Sequence, residues 1–211
     1  MADWVTISSL ATAGGTLILA LATFASVRSA NRAVRTAERA LLAGLRPVLV
    51  PSRLQDLEQK ILWVDGHWTR LGGGQGGVEV VDDVIYLSMP LRNVGAGLAV
   101  LQGWYPWPEW LHASDGIPEP DGFRRQNRDL YVPPGDIGFW QGAIRGRDDD
   151  GFAALDAMIA SRQPFTVDLL YSDHEGGQRT VSRFAFVPRP DQEGWLASGV
   201  RHWSLDRPDP R

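Results

Sequence analysis

Hydrophobic and polar positions follow two rhythms along the chain, and the change falls near residue 46. From Trp4 to Val27, 24 positions pass without a charge: WVTISSLATAGGTLILALATFASV. As a helix this stretch is about 36 Å long, enough to cross a hydrocarbon core of roughly 30 Å with some tilt. Its most apolar run, Leu17–Leu21, lies near the centre. Gly14, Gly15 and several Ser and Thr dilute it, but hydroxyls can bond back to the helix and satisfy themselves in lipid. Trp4 stands where an interfacial aromatic anchors the end of a span. A signal peptide needs a basic start and a shorter apolar core, whereas this start holds Asp3 and no Lys or Arg. A buried helix of a soluble protein would show a polar face, which is missing. Residues 1–27 therefore read as an N-terminal flank and a transmembrane helix.

The helical pattern runs on to about Gly44, making residues 28–45 a juxtamembrane stalk. Arg28, Arg32, Arg35 and Arg39 all come after the span, and short flanks rich in arginine stay cytoplasmic. The expected placement is a single-pass protein of the plasma membrane, N-terminus out, with everything after Arg28 in the cytoplasm. The same arginines are suited to anionic lipid. Val27, Ala30, Val34, Ala37 and Leu41 recur at spacings of three and four, a heptad-like seam. Weak self-association through the stalk is one use of this seam, and packing against the chain's own domain is the plainer one. Gly44 and then Pro47 end the helix.

Beyond Arg46 the period becomes alternating, in short runs between turn signals. Strands are expected at Pro47–Pro51, Ile61–Val64, His67–Leu71, Val78–Val81, Val84–Arg92 and Leu98–Tyr105. Further strands are expected at Asp129–Val132, Ile137–Ile144, Phe165–Tyr171, Arg179–Val187 and, at an edge, Val200–Leu205. Asp65-Gly66 suits a two-residue hairpin turn, and Gly72–Gly77 (GGGQGG) reads as a flexible connection. One helix, Phe152–Ser161, carries Phe152, Leu155, Met158 and Ile159 on one face, with Asp149 or Asp150 as its cap and Pro164 closing it. The fold class expected is mainly β: an antiparallel two-sheet sandwich over residues 46–206, with an immunoglobulin-like arrangement as one form of it. Residues 207–211 (RPDPR) read as a disordered tail.

Charge sharpens this picture. Residues 28–46 carry a net +4, so the remainder beyond Arg46 carries −7 within a chain of −4. An acidic domain argues against nucleic acid as a partner, because phosphate contacts need Lys and Arg on one face. There is no cysteine, hence no disulfide, thiolate metal site or thiol nucleophile. Lys60 is the only lysine among 21 basic residues, a composition like that of GC-rich bacterial genomes.

Four short motifs resemble features of a loose group of uncharacterised bacterial proteins with an N-terminal span, a helical stalk and a β-sandwich. They are Arg46-Pro47, Asn93-Val94-Gly95-Ala96-Gly97-Leu98-Ala99, Val132-Pro133-Pro134-Gly135, and Tyr171-Ser172-Asp173 with Gly176. That group has no established activity, so the resemblance implies architecture and transfers no functional residue. The physical reading is turn-making: Asn93, Gly95 and Gly97 supply positive φ and close backbone approach, and Asp173–Gly177 does the same for a late hairpin.

Candidate chemistry is sparse. Gly72-x-Gly74-x-x-Gly77 matches a dinucleotide fingerprint literally, but no strand–turn–helix unit surrounds it. No phosphate loop or Gly-x-Ser-x-Gly elbow is present. His67, His112, His174 and His202 lack ligand spacing. Asp148-Asp149-Asp150 lacks the spaced oxygens of a calcium loop and suits a helix N-terminus. Asp173-His174-Glu175 reads as a solvated hairpin tip. The most unusual segment holds Trp104, Tyr105, Trp107 and Trp110, stiffened by Pro106 and Pro108. Its rings either pack at the open end of the sandwich or meet a partner or headgroups, and Arg124, Arg125 and Arg128 downstream offer an anionic contact. The expected function is a membrane-tethered, non-enzymatic interaction or scaffolding module that contacts the bilayer and a protein partner without cofactor or metal. The alternatives are a membrane-anchored hydrolase with a dispersed Asp/His/Ser site and a small subunit of a larger membrane complex.

Overall fold

A computed structural model describes residues 3–190 and 192–206; the expected tail at 207–211 lies outside the described residues. The chain divides into two compact units, residues 1–44 and 45–211. The first is one helix, α1 (Trp4–Gly44), of 41 residues. Within it Ile7–Glu38 holds a segment long and apolar enough to cross a membrane; its most apolar 18 residues have mean hydropathy 1.8, and none of them is buried. Leu10, Leu17, Ile18, Leu19, Leu21 and Phe24 are all exposed. The hydroxyls of Thr12, Thr16 and Thr23 donate to the carbonyls of Ser8, Thr12 and Leu19, each four residues back. These polar groups are thus satisfied within the helix, as an apolar surrounding requires.

The second unit is mainly β. In chain order its strands are β1 (Leu49–Pro51), β2 (Gln59–Leu62), β3 (Trp68–Leu71), β4 (Gln75–Val81), β5 (Val84–Asn93) and β6 (Ala99–Trp107). After them come β7 (Arg124–Val132), β8 (Ile137–Arg145), helix α2 (Phe152–Ala160), β9 (Phe165–Ser172), β10 (Thr180–Pro188) and β11 (Trp195–Ser204). Every pairing is antiparallel. One edge of β5 pairs with β8 along its length, and the other pairs with β4 and then β1. The order β11–β10–β9–β6–β7 forms the second layer. The two layers are one curled sheet, because β4 pairs with β5 through Gly77–Val81 and with β11 through Gln75 and Gly76. Leu49, Leu87, Met89 and Trp140 from one layer meet Leu101, Val167, Phe184 and Phe186 from the other in a single core. β2 and β3 form a separate hairpin. Its Ile61, Trp63 and Leu71 bury against Tyr86, Val84 and Phe139 on the outside of the first layer.

Four local expectations are corrected. The β2–β3 turn is longer than two residues. Trp63 N–H donates to His67 O, Gly66 N–H donates to Trp63 O, and Gly66 has φ +87°. This is a three-residue loop closed by a left-handed glycine, whose twist suits the hairpin as the two-residue form would. The glycine run is not a flexible connection either. Its Gln75, Gly76 and Gly77 are strand, at the point where β4 passes between the layers, and a Cβ on Gly76 would lie 2.7 Å from a Phe186 ring carbon. Close packing selects glycine here.

Asn93, Gly95 and Gly97 do not use positive φ. Close approach alone explains the motif: a Cβ on Gly97 would lie 1.6 Å from the Leu45 carbonyl oxygen. Asn93 is fully buried and uses its whole amide. Its Oδ1 accepts from Val48 N–H at 3.1 Å and Gly95 N–H at 3.0 Å. Its Nδ2 donates to Gly97 O at 2.7 Å and Val132 O at 2.9 Å. One side chain thereby ties together the start of the domain, the 94–97 turn and the end of β7. The fourth correction concerns α2, whose N-cap is Gly151 without a side-chain cap bond. Asp149 Oδ1 instead accepts from Gly151 N–H while the carboxylate pairs with Arg124, which draws it away from the first helical amides.

Candidate functional site

Strand alternation separates the rings of the Trp104–Trp110 segment. Trp104 points inward, buried edge-on against Trp140 with ring centroids 5.4 Å apart. Tyr105 and Trp107 point outward and lie 4.7 Å apart. Trp110, beyond the strand, is 43% exposed. The structure thus brings Tyr105 and Trp107 together and leaves Trp104 and Trp110 elsewhere.

Trp107 leads to a buried ion pair that has no local signature in the sequence. Arg183 on β10 and Asp168 on β9 face each other in register, both side chains without solvent exposure. Arg183 Nε and Nη2 donate to the two carboxylate oxygens, each at 2.8 Å. Trp107 Nε1 adds a third donor to Asp168 at 2.9 Å. The remaining guanidinium donors reach the carbonyls of His112, Asp115 and Gly116, and the Trp203 ring lies 4.9 Å away. A charge pair this enclosed is tolerable only because every donor is used. It staples the segment after β6 over the outer face of the second layer, which is why β9 is buried on both sides.

A serine and a histidine also meet. Ser182 Oγ lies 2.6 Å from His202 Nδ1 and 2.8 Å from the Tyr171 hydroxyl, which accepts from Leu49 N–H at 3.1 Å. Burial pushes the Tyr171 phenol above its ordinary pKa. Ser182 has no exposed surface, so its hydroxyl cannot reach a substrate in this arrangement, and the chain of bonds ties β1 to β9, β10 and β11. The histidines do not gather: His67 stacks on Tyr86 at 4.0 Å and pairs with Glu79 at 2.9 Å, while His174 sits at an exposed hairpin tip. Among the described residues no group of three or more His, Asp or Glu is placed to hold a metal ion.

The β2–β3 hairpin and the cleft beside it form the most distinctive surface. Opposite Gln102, β7 bulges by residues 126–129, because Leu101 pairs with Leu130 while Gly103 pairs with Arg125. The bulge lines a shallow cleft with Trp63, Trp104, Gln141 and Arg145. Gln126 Nε2 donates to Gln141 O and Trp63 Nε1 to Gly142 O, so side chains cover the edge of β8. The Oε1 atoms of Gln126 and Gln141 are buried with no protein partner. At the turn, Asp65 accepts from Tyr86 Oη and Arg145 Nη2, both at 2.8 Å. Burial pushes its carboxyl up, but these bonds outweigh it and hold the group below the usual carboxylate range. The outward face of the hairpin carries Lys60, Leu62, Val64, Trp68 and Arg70, all exposed. Sequence reading missed this face, although four consecutive apolar residues at 61–64 in a two-stranded ribbon signal one apolar face too many.

The remaining candidates are dispersed. Arg28, Arg32 and Arg35 are exposed on α1; the Arg39 side chain lies outside the described residues. Arg125 and Arg128 are exposed, and Arg128 donates to Leu62 O. Arg124 makes a two-bond pair with Asp149, and this guanidinium holds the Asp149 carboxyl below its ordinary 3.8. A lowered folded-state pKa stabilises above the unfolded value, and the contribution is lost as pH falls through the folded one. Asp149→Asn is expected to cost about 1 kcal/mol near neutral pH and almost nothing at a pH where the carboxyl is protonated in both states. Urea titrations of the two proteins across that range check it; a constant difference would contradict the pair's role.

No family model, curated protein or solved structure matches the chain.

Proposed function

We propose that the chain is a single-pass membrane protein of the bacterial plasma membrane, N-terminus outside, whose cytoplasmic β domain works as a non-enzymatic interaction module. The observation that carries the reading is α1, whose membrane-length apolar stretch has none of its residues buried. Such a surface is stable only in lipid or against another helix. Arg28, Arg32, Arg35 and Arg39 support an inward placement of the domain C-terminal to them. The use of the domain's polar groups supports the interaction reading: Arg183–Asp168, Arg124–Asp149 and the Tyr171–Ser182–His202 network are closed structural arrangements.

The absence of native cysteine provides the test. In whole cells a membrane-impermeant maleimide is expected to label Ala2→Cys, and to label Glu175→Cys at the exposed hairpin tip only after permeabilisation. The reverse pattern overturns the orientation, and release of the full chain by carbonate overturns the span. Turnover of a model ester or peptide by the purified protein, abolished in Ser182→Ala, overturns the non-enzymatic part.

A further inference from the structure

We infer that the outward face of the β2–β3 hairpin is a docking surface for the headgroup region of an anionic bilayer. The inference rests on the membrane-tethered reading above and names a partner for it. Over 15 residues the chain exposes five large apolar side chains: Leu54 at 81%, Leu57 at 78%, Leu62 at 47%, Val64 at 74% and Trp68 at 52%. Scattered surface leucines are ordinary, and Leu54 and Leu57 lie on the loop before β2; apolar side chains that adjoin one another on one face mark a contact surface. Two of them are direct neighbours, because Leu62 and Trp68 face each other across the strand pair.

The charges beside them select the partner. Lys60 and Arg70 also face each other in register, with Lys60 Nζ at 5.2 Å and the Arg70 guanidinium carbon at 5.9 Å from the Trp68 ring centroid. Like charges directly opposite are unfavourable in a hairpin, and an anion placed over the pair removes the repulsion. Nearby acids are diverted: Asp56 is bound by Arg92, and Asp65 by Arg145 and Tyr86. Glu58 is the exposed acid left in the segment, on the loop before β2. Half-exposed tryptophan, flexible cations and aliphatic side chains on one face are the combination that sits at a lipid–water boundary.

The face is also pre-formed. Trp63, on the opposite side of the hairpin, packs edge-on to Tyr86 at 5.2 Å and donates to Gly142 O, so docking needs little ordering.

The test uses the full chain reconstituted in vesicles of phosphatidylcholine, with or without phosphatidylglycerol. Val64→Cys carries an environment-sensitive fluorophore, and Glu175→Cys carries the same probe as a remote comparison. The Val64 probe is expected to shift to the blue in anionic vesicles but not in neutral ones, and to return in high salt, while the Glu175 probe stays unchanged. Lys60→Glu with Arg70→Glu is expected to abolish the shift, and Lys60→Gln with Arg70→Gln to weaken docking about 25-fold, at roughly fivefold per cation; far-UV circular dichroism verifies that both remain folded. No shift in anionic vesicles overturns the proposal, as does an equal shift in neutral ones. A shift in detergent that grows with protein concentration assigns the face to a second copy and overturns it too. Flotation separates the two readings: protein that floats without a probe response loses only the docking, whereas protein that fails to float loses the tether and the docking with it.

Discussion

Asp168→Ala is expected to destabilise the β domain by about 3 kcal/mol, more than truncating any exposed acid. The substitution leaves Arg183 charged in a site without solvent exposure, and stranding one member of a buried pair costs about 3–5 kcal/mol. The low end applies because Arg183 keeps the carbonyls of His112, Asp115 and Gly116 and the Trp203 ring. Removing both charges together, as Asp168→Leu with Arg183→Met, is expected to recover much of the loss, since apolar replacements of such pairs are often near neutral. The double variant also frees the three carbonyls, so the segment after β6 is expected to be cut faster by protease even where global stability returns. Urea titration of the full-length protein, monitored by tryptophan fluorescence and paired with limited proteolysis, reads both effects. An Asp168→Ala cost below about 1 kcal/mol would show that the pair does not act as a staple.

Asn93→Ala should cost a similar amount, about 3 kcal/mol. It strands the Val48 and Gly95 amides and the Gly97 and Val132 carbonyls, at about 1–3 kcal/mol for each group that water cannot reach. Asn93→Asp is the sharper probe, because its shape is unchanged. At neutral pH it turns the two-proton donor facing Gly97 O and Val132 O into a carboxylate facing two carbonyls, so it is expected to be at least as damaging as alanine. Protonation restores one donor. The carboxyl pKa is therefore raised in the folded state, and the deficit should shrink as the solution is acidified through it. Denaturant titrations of both variants at neutral and mildly acidic pH decide it; equal behaviour of Asp and Asn at neutral pH would rule out the amide donor as the source of the effect.

These two sites show where sequence reading stops. The Asn93–Gly97 motif was legible as a special turn, with left-handed backbone and close backbone approach as its two mechanisms. The structure keeps the second, Gly97 on Leu45, drops the first, and adds an amide that bridges three segments. Gly72–Gly77 misleads in the same way. Glycine content signals either freedom or crowding, and only the neighbours that Gly76 meets in β4 distinguish them. Arg183, Asp168, Ser182 and His202 look like ordinary strand residues because their partners are joined by register rather than by sequence spacing. The tryptophan cluster is conspicuous as a run, yet alternation distributes it over two faces of the sheet.

By itself the sequence determined the elements: a 41-residue apolar helix with arginines after its span, strands close to where alternation placed them, and one short helix before Pro164. These are local properties, set by charge-free length, period and turn residues within a few positions of one another. The tertiary structure decided how the layers join through β4, which polar groups are sealed inside, and which face of the β2–β3 hairpin remains outward. An alternating strand offers two faces of equal standing, and only the packing of Ile61 and Trp63 against Tyr86 determines that Leu62, Val64 and Trp68 meet the solvent.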